Sequence, residues 1–185
     1  MKNNILFLTL WLLLAACGGQ DGQQEDNAGD RTYRTTAPSL LYFKNMRSSY
    51  YTLNEQPRTR IELYRLRKFV QLSGEEIVLV PVIANNWMKD EAYLFLESPE
   101  LGKGLASPIT IRWEAQGDTG LYQLQPATID KQYELAMQLY KSLLEGHQIE
   151  ALAADSTWAP IFTGKDSRSH FITSVRDYLR LTEAL

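Results

Sequence analysis

The hydrophobic period of this chain changes once, and that change limits the folds open to it. Ile109, Ile111 and Trp113 alternate with Thr110, Arg112 and Glu114. A repeat of two places one set on a buried sheet face and the other in water. From Tyr133 the spacing becomes three and four, through Ala136, Met137, Tyr140, Leu143 and Leu144. That repeat makes one apolar stripe on a helix of about four turns. Thr128 or Asp130 is placed to cap its start, and Gly146 to end it. A second stripe, Phe171, Val175, Tyr178 and Leu179, follows Ser167, its expected cap. Strands first and helices last predict an α+β domain. The expected arrangement is an antiparallel meander of about five strands, followed by two helices packed on one face.

The strands are read from short β-rich runs between turn signals. Ser39 to Phe43 reads as a short first strand and Asn54 to Pro57 as a turn. Arg58 to Leu72 reads as a long strand, with a helix as its rival because Ile61, Tyr64 and Leu66 do not alternate. Ser73-Gly74-Glu75 is expected to turn a hairpin between Phe69–Leu72 and Ile77–Val80, which Pro81 ends or edges. Asn85-Asn86 is a turn, Ala92 to Leu96 a strand, and Gly117-Asp118 leads into Leu121 to Leu124. Ile149 to Ala154 is a strand or helical turn, and Trp158 to Phe162 an apolar loop or strand.

The first thirty residues are of another kind. Lys2 precedes an apolar run of 12 residues, Ile5 to Ala16, broken by Thr9. A bilayer-spanning helix needs about 20. The run has the length of a signal-peptide core and ends in small residues before Cys17. Leu14-Ala15-Ala16-Cys17 resembles the lipobox of bacterial lipoproteins. The resemblance covers residues 1 to about 20. It implies diacylglycerol attachment at the Cys17 thiol and cleavage after Ala16, and so a partner in the membrane itself. Cys17 is the sole cysteine, so no disulfide forms within this export-directed chain. Gly18 to Asp30 has no large apolar residue and four acids with no base. Such a segment cannot offset the entropy of ordering it, and is expected to be a tether. Acidic residues soon after the cysteine also resemble surface-export signals of Bacteroidota lipoproteins. Gly18 stands where an Asp would resemble an inner-membrane retention signal, which leans the expected destination to the outer membrane.

Removing residues 1–16 leaves 169, enough for one domain over 31–185. The net charge of −3 argues against a general polyanion binder, and the expected compartment argues against nucleic acid. The charge is uneven: residues 31–68 carry nine bases and two acids, whereas 75–155 carry five bases and thirteen acids. A basic, tyrosine-interleaved surface would suit an anionic glycan, lipid headgroups or an envelope protein. Complementary strands pairing across one sheet would consume the same charges.

Residues able to carry chemistry are few. His147 and His170 are the only histidines, and a zinc site needs three or four ligands, so no metal or other cofactor is expected. Ser169, His170 and Asp166 share a helix start, where Ser and Asp are ordinary caps. Asp90, Glu91, Glu97 and Glu100 flank one strand, as solvated charges do. Trp113 belongs to the core by its alternation, whereas Trp87 and Trp158 lie in turn-like surroundings. With Tyr50 and Tyr51 they are the candidate ligand-binding residues. The expectation is a lipid-anchored envelope protein with a binding or scaffold domain. The rivals are an envelope hydrolase using carboxylates or Ser169 and His170, and a structural subunit of an outer-membrane assembly.

Overall fold

The computed structural model describes residues 33–70, 79–98 and 104–185. The leader, Cys17 and the acidic stretch lie outside these residues, as do Glu100 and the Ser73-Gly74-Glu75 turn. Thr32–Leu185 form one compact unit. It is α+β, as the change of period requires. Its described strands form two antiparallel four-stranded sheets, where about five strands in one sheet were expected.

The first sheet runs β1 (Tyr51–Gln56), β2 (Ile61–Leu66), β3 (Val80–Asn86), β4 (Glu91–Glu97), each strand beside the next. The second contains β5 (Ile109–Ala115), β6 (Asp118–Leu124), β7 (Gln148–Leu152) and β8 (Trp158–Ile161), in the order β6-β5-β7-β8. Two short helices, α1 (Ala37–Tyr42) and α2 (Arg67–Val70), flank the early strands. Two long ones, α3 (Ile129–Leu144) and α4 (Lys165–Leu181), follow β6 and β8.

Several local readings are corrected. Ser39 to Phe43 is helical, not extended. The Thr36 hydroxyl accepts from the Ser39 N–H, and the Ser39 hydroxyl accepts from the Thr36 N–H. This reciprocal cap starts α1, and Pro38 sits in the first turn, where a missing N–H costs nothing. The helix runs on through a π turn (Phe43–Arg47) and a 3-10 turn (Ser48–Tyr50) into β1. Asn54 to Gln56 belong to β1, and the turn falls at 57–60, with Arg60 at φ 58°. The long strand over 58–72 is broken, because Arg67–Val70 turn helically. Phe69 is thereby buried against Phe162 and beside His170, which withdraws it from the predicted hairpin. Asn85 and Asn86 end β3, and the turn is at 87–90. Pro81 lies inside β3, but the ladder with β2 stops at Val82.

The later elements follow their signals more closely. Thr128 caps α3, and its C-terminus closes as predicted on Gly146 at φ 79°. The Gly146 N–H bonds to the Leu143 carbonyl and the His147 N–H to that of Ser142. Residues 148–152 and 158–161 are both strands. Gly164, not Ser167, caps α4; Ser167 lies buried in the first turn and donates to the Gly164 carbonyl.

The two long helices do not simply share one sheet face. α4 packs on β3 and β4, whereas α3 touches both β4 and β6 and so bridges the sheets. Gln132 of α3 accepts the Leu96 N–H at the edge of β4. Ile83 and Leu94 of the first sheet and Ile111 of the second join Leu139, Phe171 and Tyr178 in one continuous core. Burying each such side chain contributes about 1.5–3 kcal/mol. Among the described residues, no helix is long and apolar enough to cross a membrane.

Candidate functional site

Among the described residues, a concavity lies where the β5–β6 hairpin meets the end of α3. Gln116 and Gly117 both take positive φ and turn the hairpin tightly. The resulting register sets Trp113 opposite Gly120. The indole lies across this glycine: a Cβ at 120 would stand 2.5 Å from Trp113 Nε1 and 2.7 Å from Cζ2. The His147 ring stacks on the indole at 5.1 Å between centroids and 23° between planes. Gly146 makes that placement possible, because its left-handed turn sends the chain from α3 directly into β7.

Trp113, Gly146 and His147 wall a cleft of about 550 Å³ with Glu114, Gln116, Asp118, Glu145 and Gln148. Among the described residues, its lining holds three carboxylates and neither Lys nor Arg. His147 Nε2 lies 3.2 Å from the Glu145 carboxylate, whereas its Nδ1 is buried without a partner. Two anchors hold the wall from behind. Arg168 donates to the His147 and Phe162 carbonyls, and the Tyr122 and Ser142 hydroxyls bond at 2.8 Å. Trp113 is therefore half-buried as a wall, not enclosed in the core.

The four residues expected to bind a ligand lie in three places. Trp87 is exposed on the 87–90 turn with the Arg60 guanidinium 5.4 Å from its ring, beside a smaller hollow of about 400 Å³. Tyr50 is exposed at the other end of β1, with Arg47 over its ring. Asn86, next to Trp87, pairs with Ile61, which pairs with Gln56, so β1 separates the two. That is about 17–20 Å. Trp158 is half-buried in the second sheet under the Arg112 guanidinium, which also pairs with Glu150.

Tyr51 is buried, and its hydroxyl donates to Asp177 at 2.7 Å. Arg47 grips the same carboxylate with Nε at 2.9 Å and Nη2 at 2.8 Å. Burial, and then the Asp177 charge, push the Tyr51 phenol far up, so it remains a donor. This group ties β1 to α4 and presents nothing to a ligand.

The proposed hydrolytic residues do not converge. Ser169 faces solvent, and its neighbour His170 turns towards Phe69 with Nδ1 unpartnered. Adjacent helix residues point about 100° apart, so the helix itself keeps them separate. Glu97 is held by Arg65, and Glu91 accepts from the Tyr93 hydroxyl. Among the described residues, no cluster of three or more His, Cys, Asp or Glu is placed to hold a metal.

The basic segment is partly neutralised. Arg65 meets Glu97 across the first sheet, Lys44 meets Glu62, and Arg47 meets Asp177. Burial works against ionisation of Glu62, but hydrogen bonds from Asn85, Lys44 and Tyr64 hold its pKa below the usual range. Sequence weighed His147 only as a metal ligand, and did not single out Glu145 or Gly120, the glycine behind the Trp113 wall. The legible signals were Gly146 and a turn read at Gly117-Asp118, which the structure places one residue earlier, at Gln116-Gly117, and which sets Trp113 against Gly120. Comparison with models of known families, with curated proteins and with solved structures gives no match.

Proposed function

We propose that this chain is a lipid-anchored lipoprotein of the bacterial envelope, held through Cys17 and presenting residues 33–185 as a binding domain. Leu14-Ala15-Ala16-Cys17, at the end of an apolar run too short to span a bilayer, carries the reading. The leader, the acidic stretch and the sole cysteine agree with it. Gly18 favours the outer membrane as destination. The domain acts by binding, at the cleft walled by Trp113 and His147. Three carboxylates and no fixed base there favour a cationic ligand, such as a lysine-bearing peptide, over an anionic glycan. A hydrolase is disfavoured by the separation of Ser169 from His170.

The N-terminal mass of mature protein from a bacterial host tests the anchor. A diacylglycerol-modified Cys17 is expected, with Cys17→Ser releasing the protein from the membrane fraction. An unmodified N-terminus would remove the reading. The cleft is tested separately by nuclear magnetic resonance. The Trp113 indole N–H is expected to shift on titration with trilysine and to stay put with a neutral disaccharide. An unmoved indole signal with trilysine would remove the cleft as the binding place.

A further inference from the structure

One end of the domain carries an exposed apolar surface that the cleft does not use. Leu41, Tyr42, Met46, Tyr50 and Leu53 are all exposed. They fall within thirteen residues, on α1, its π and 3-10 continuation and the start of β1. Tyr42, Met46 and Tyr50 recur every four residues. Leu41 and Met46 are five apart, the repeat that a π turn brings into line. Phe43, on the same segment, packs under them onto Tyr51 and Tyr64. Leu53 pairs with Tyr64 across the β1–β2 ladder and so shares that sheet face. An apolar surface rimmed by polar groups marks a place of contact.

The rim is basic. No acid occurs between Ala37 and Asn54. Lys44 and Arg47 are paired with Glu62 and Asp177, and Glu183 accepts from the Thr36 hydroxyl at the start of α1. Arg67 donates to the carbonyls of Ser49 and Tyr51, which sets its guanidinium beside Tyr50, and Lys68 follows it. A second copy docking here would oppose these bases to themselves. An anionic lipid surface would complement them, and the apolar side chains would enter the boundary between headgroups and acyl chains.

The chain places such a surface within reach. Fifteen residues lie between Cys17 and Tyr33, sixteen Cα steps that span at most about 55 Å. Tethering replaces a free encounter with an intramolecular one, so even a weak surface contact is populated. We propose that the face formed by Leu41, Tyr42, Met46, Tyr50 and Leu53 docks on the phospholipid surface to which Cys17 anchors the chain. This rests on the lipoprotein reading of Cys17. It orients the domain, with the 87–90 turn at the opposite end of β1 directed away from the lipid.

Met46 and Met88 form a matched pair of probes, being 59% and 58% exposed and lying at opposite ends of the first sheet. Oxidation to the sulfoxide follows exposure. Mature lipidated full chain, in vesicles of phosphatidylethanolamine with phosphatidylglycerol, is treated with peroxide. Its rates are compared with those of the full Cys17→Ser chain free in buffer. Met46 is expected to oxidise severalfold more slowly on vesicles and Met88 at an unchanged rate. Leu41→Glu with Tyr50→Glu should restore the Met46 rate while the lipid modification remains.

Equal, unchanged rates for both methionines in an anchored sample would overturn the proposal. So would protection of Met46 in native envelopes but not in vesicles, which would make the occupant a protein. The N-terminal mass of the same sample reports on the anchor independently. With Cys17 unmodified, the Cys17→Ser chain is mixed with excess vesicles. Protection of Met46 then sustains the lipid-docking face, and an unchanged rate overturns it.

Discussion

At the residue scale, Gly120 decides the shape of the cleft. Glycine ordinarily weakens a strand, so replacing it on a half-exposed strand should help. Here the added methyl would stand 2.5–2.7 Å from three atoms of the Trp113 indole. The ring must leave its seat and with it the His147 stack. Gly120→Ala is therefore expected to destabilise by about 1–3 kcal/mol, the range for inserting a carbon into a packed site. Urea unfolding with a red-shifted Trp113 emission checks this. A more stable variant would show that the ring has other room.

His170 sets a pH dependence at the same scale. Burial holds its pKa below the usual histidine value; Asp166 works against this and Lys68 with it. Protonation would also place a second N–H where Nδ1 has no acceptor. The unfolded chain, free of these constraints, takes the proton more readily. The His170 contribution is present above the unfolded pKa of about 6.5 and is lost as pH falls towards the lower folded value. His170→Asn should flatten the dependence of the urea midpoint on pH between about 7 and 5. An unchanged slope would place the titrating group elsewhere.

At the element scale, the segment from Thr36 to Gln56 shows what period alone leaves hidden. Leu40, Leu41, Tyr42 and Phe43 look like a strand by composition. The Thr36–Ser39 cap and the π turn make them a helix whose buried side is little more than Phe43. With one buried residue no stripe is visible, so the helix is illegible in the sequence. α4 buries the whole stripe Phe171, Val175, Tyr178 and Leu179 and was legible. α3 was legible as a helix, but it buries Leu135 and Leu139 with Ala136 and Leu143 and leaves Leu144 exposed, and β5 buries the neighbours Thr110 and Ile111 in place of strict alternates. The segment is held by Arg47 and Tyr51 on Asp177. Asp177→Ala leaves a guanidinium and a phenol without their acceptor, at a cost near the lower end of about 3–5 kcal/mol, since Arg47 reaches water. Tyr51→Phe removes one hydrogen bond and leaves the ion pair, costing about 1 kcal/mol. Denaturant unfolding of both variants should give that order; equal losses would show that Arg47 draws nothing from the carboxylate.

At the scale of the whole molecule, the number of sheets was the part least legible in sequence. Strand signals mark extended runs of chain but do not say which edges meet. The second sheet is assembled by β7 and β8, which lie beyond α3 in sequence, with β7 pairing β5. A single core then crosses between the sheets through α3, where Leu139 is fully buried. If α3 joins the sheets into one cooperative unit, weakening it must lower both together. Leu139→Ala should cost about 2–5 kcal/mol. Chains retaining only Trp87, on the first sheet, or only Trp113, on the second, should still unfold with coincident midpoints in urea. Separate midpoints would mean that the sheets are independent and that α3 merely touches both. Coincidence matters to the proposed function, because only a rigid unit lets contact of the Tyr50 end with a surface fix where the Trp113 cleft points.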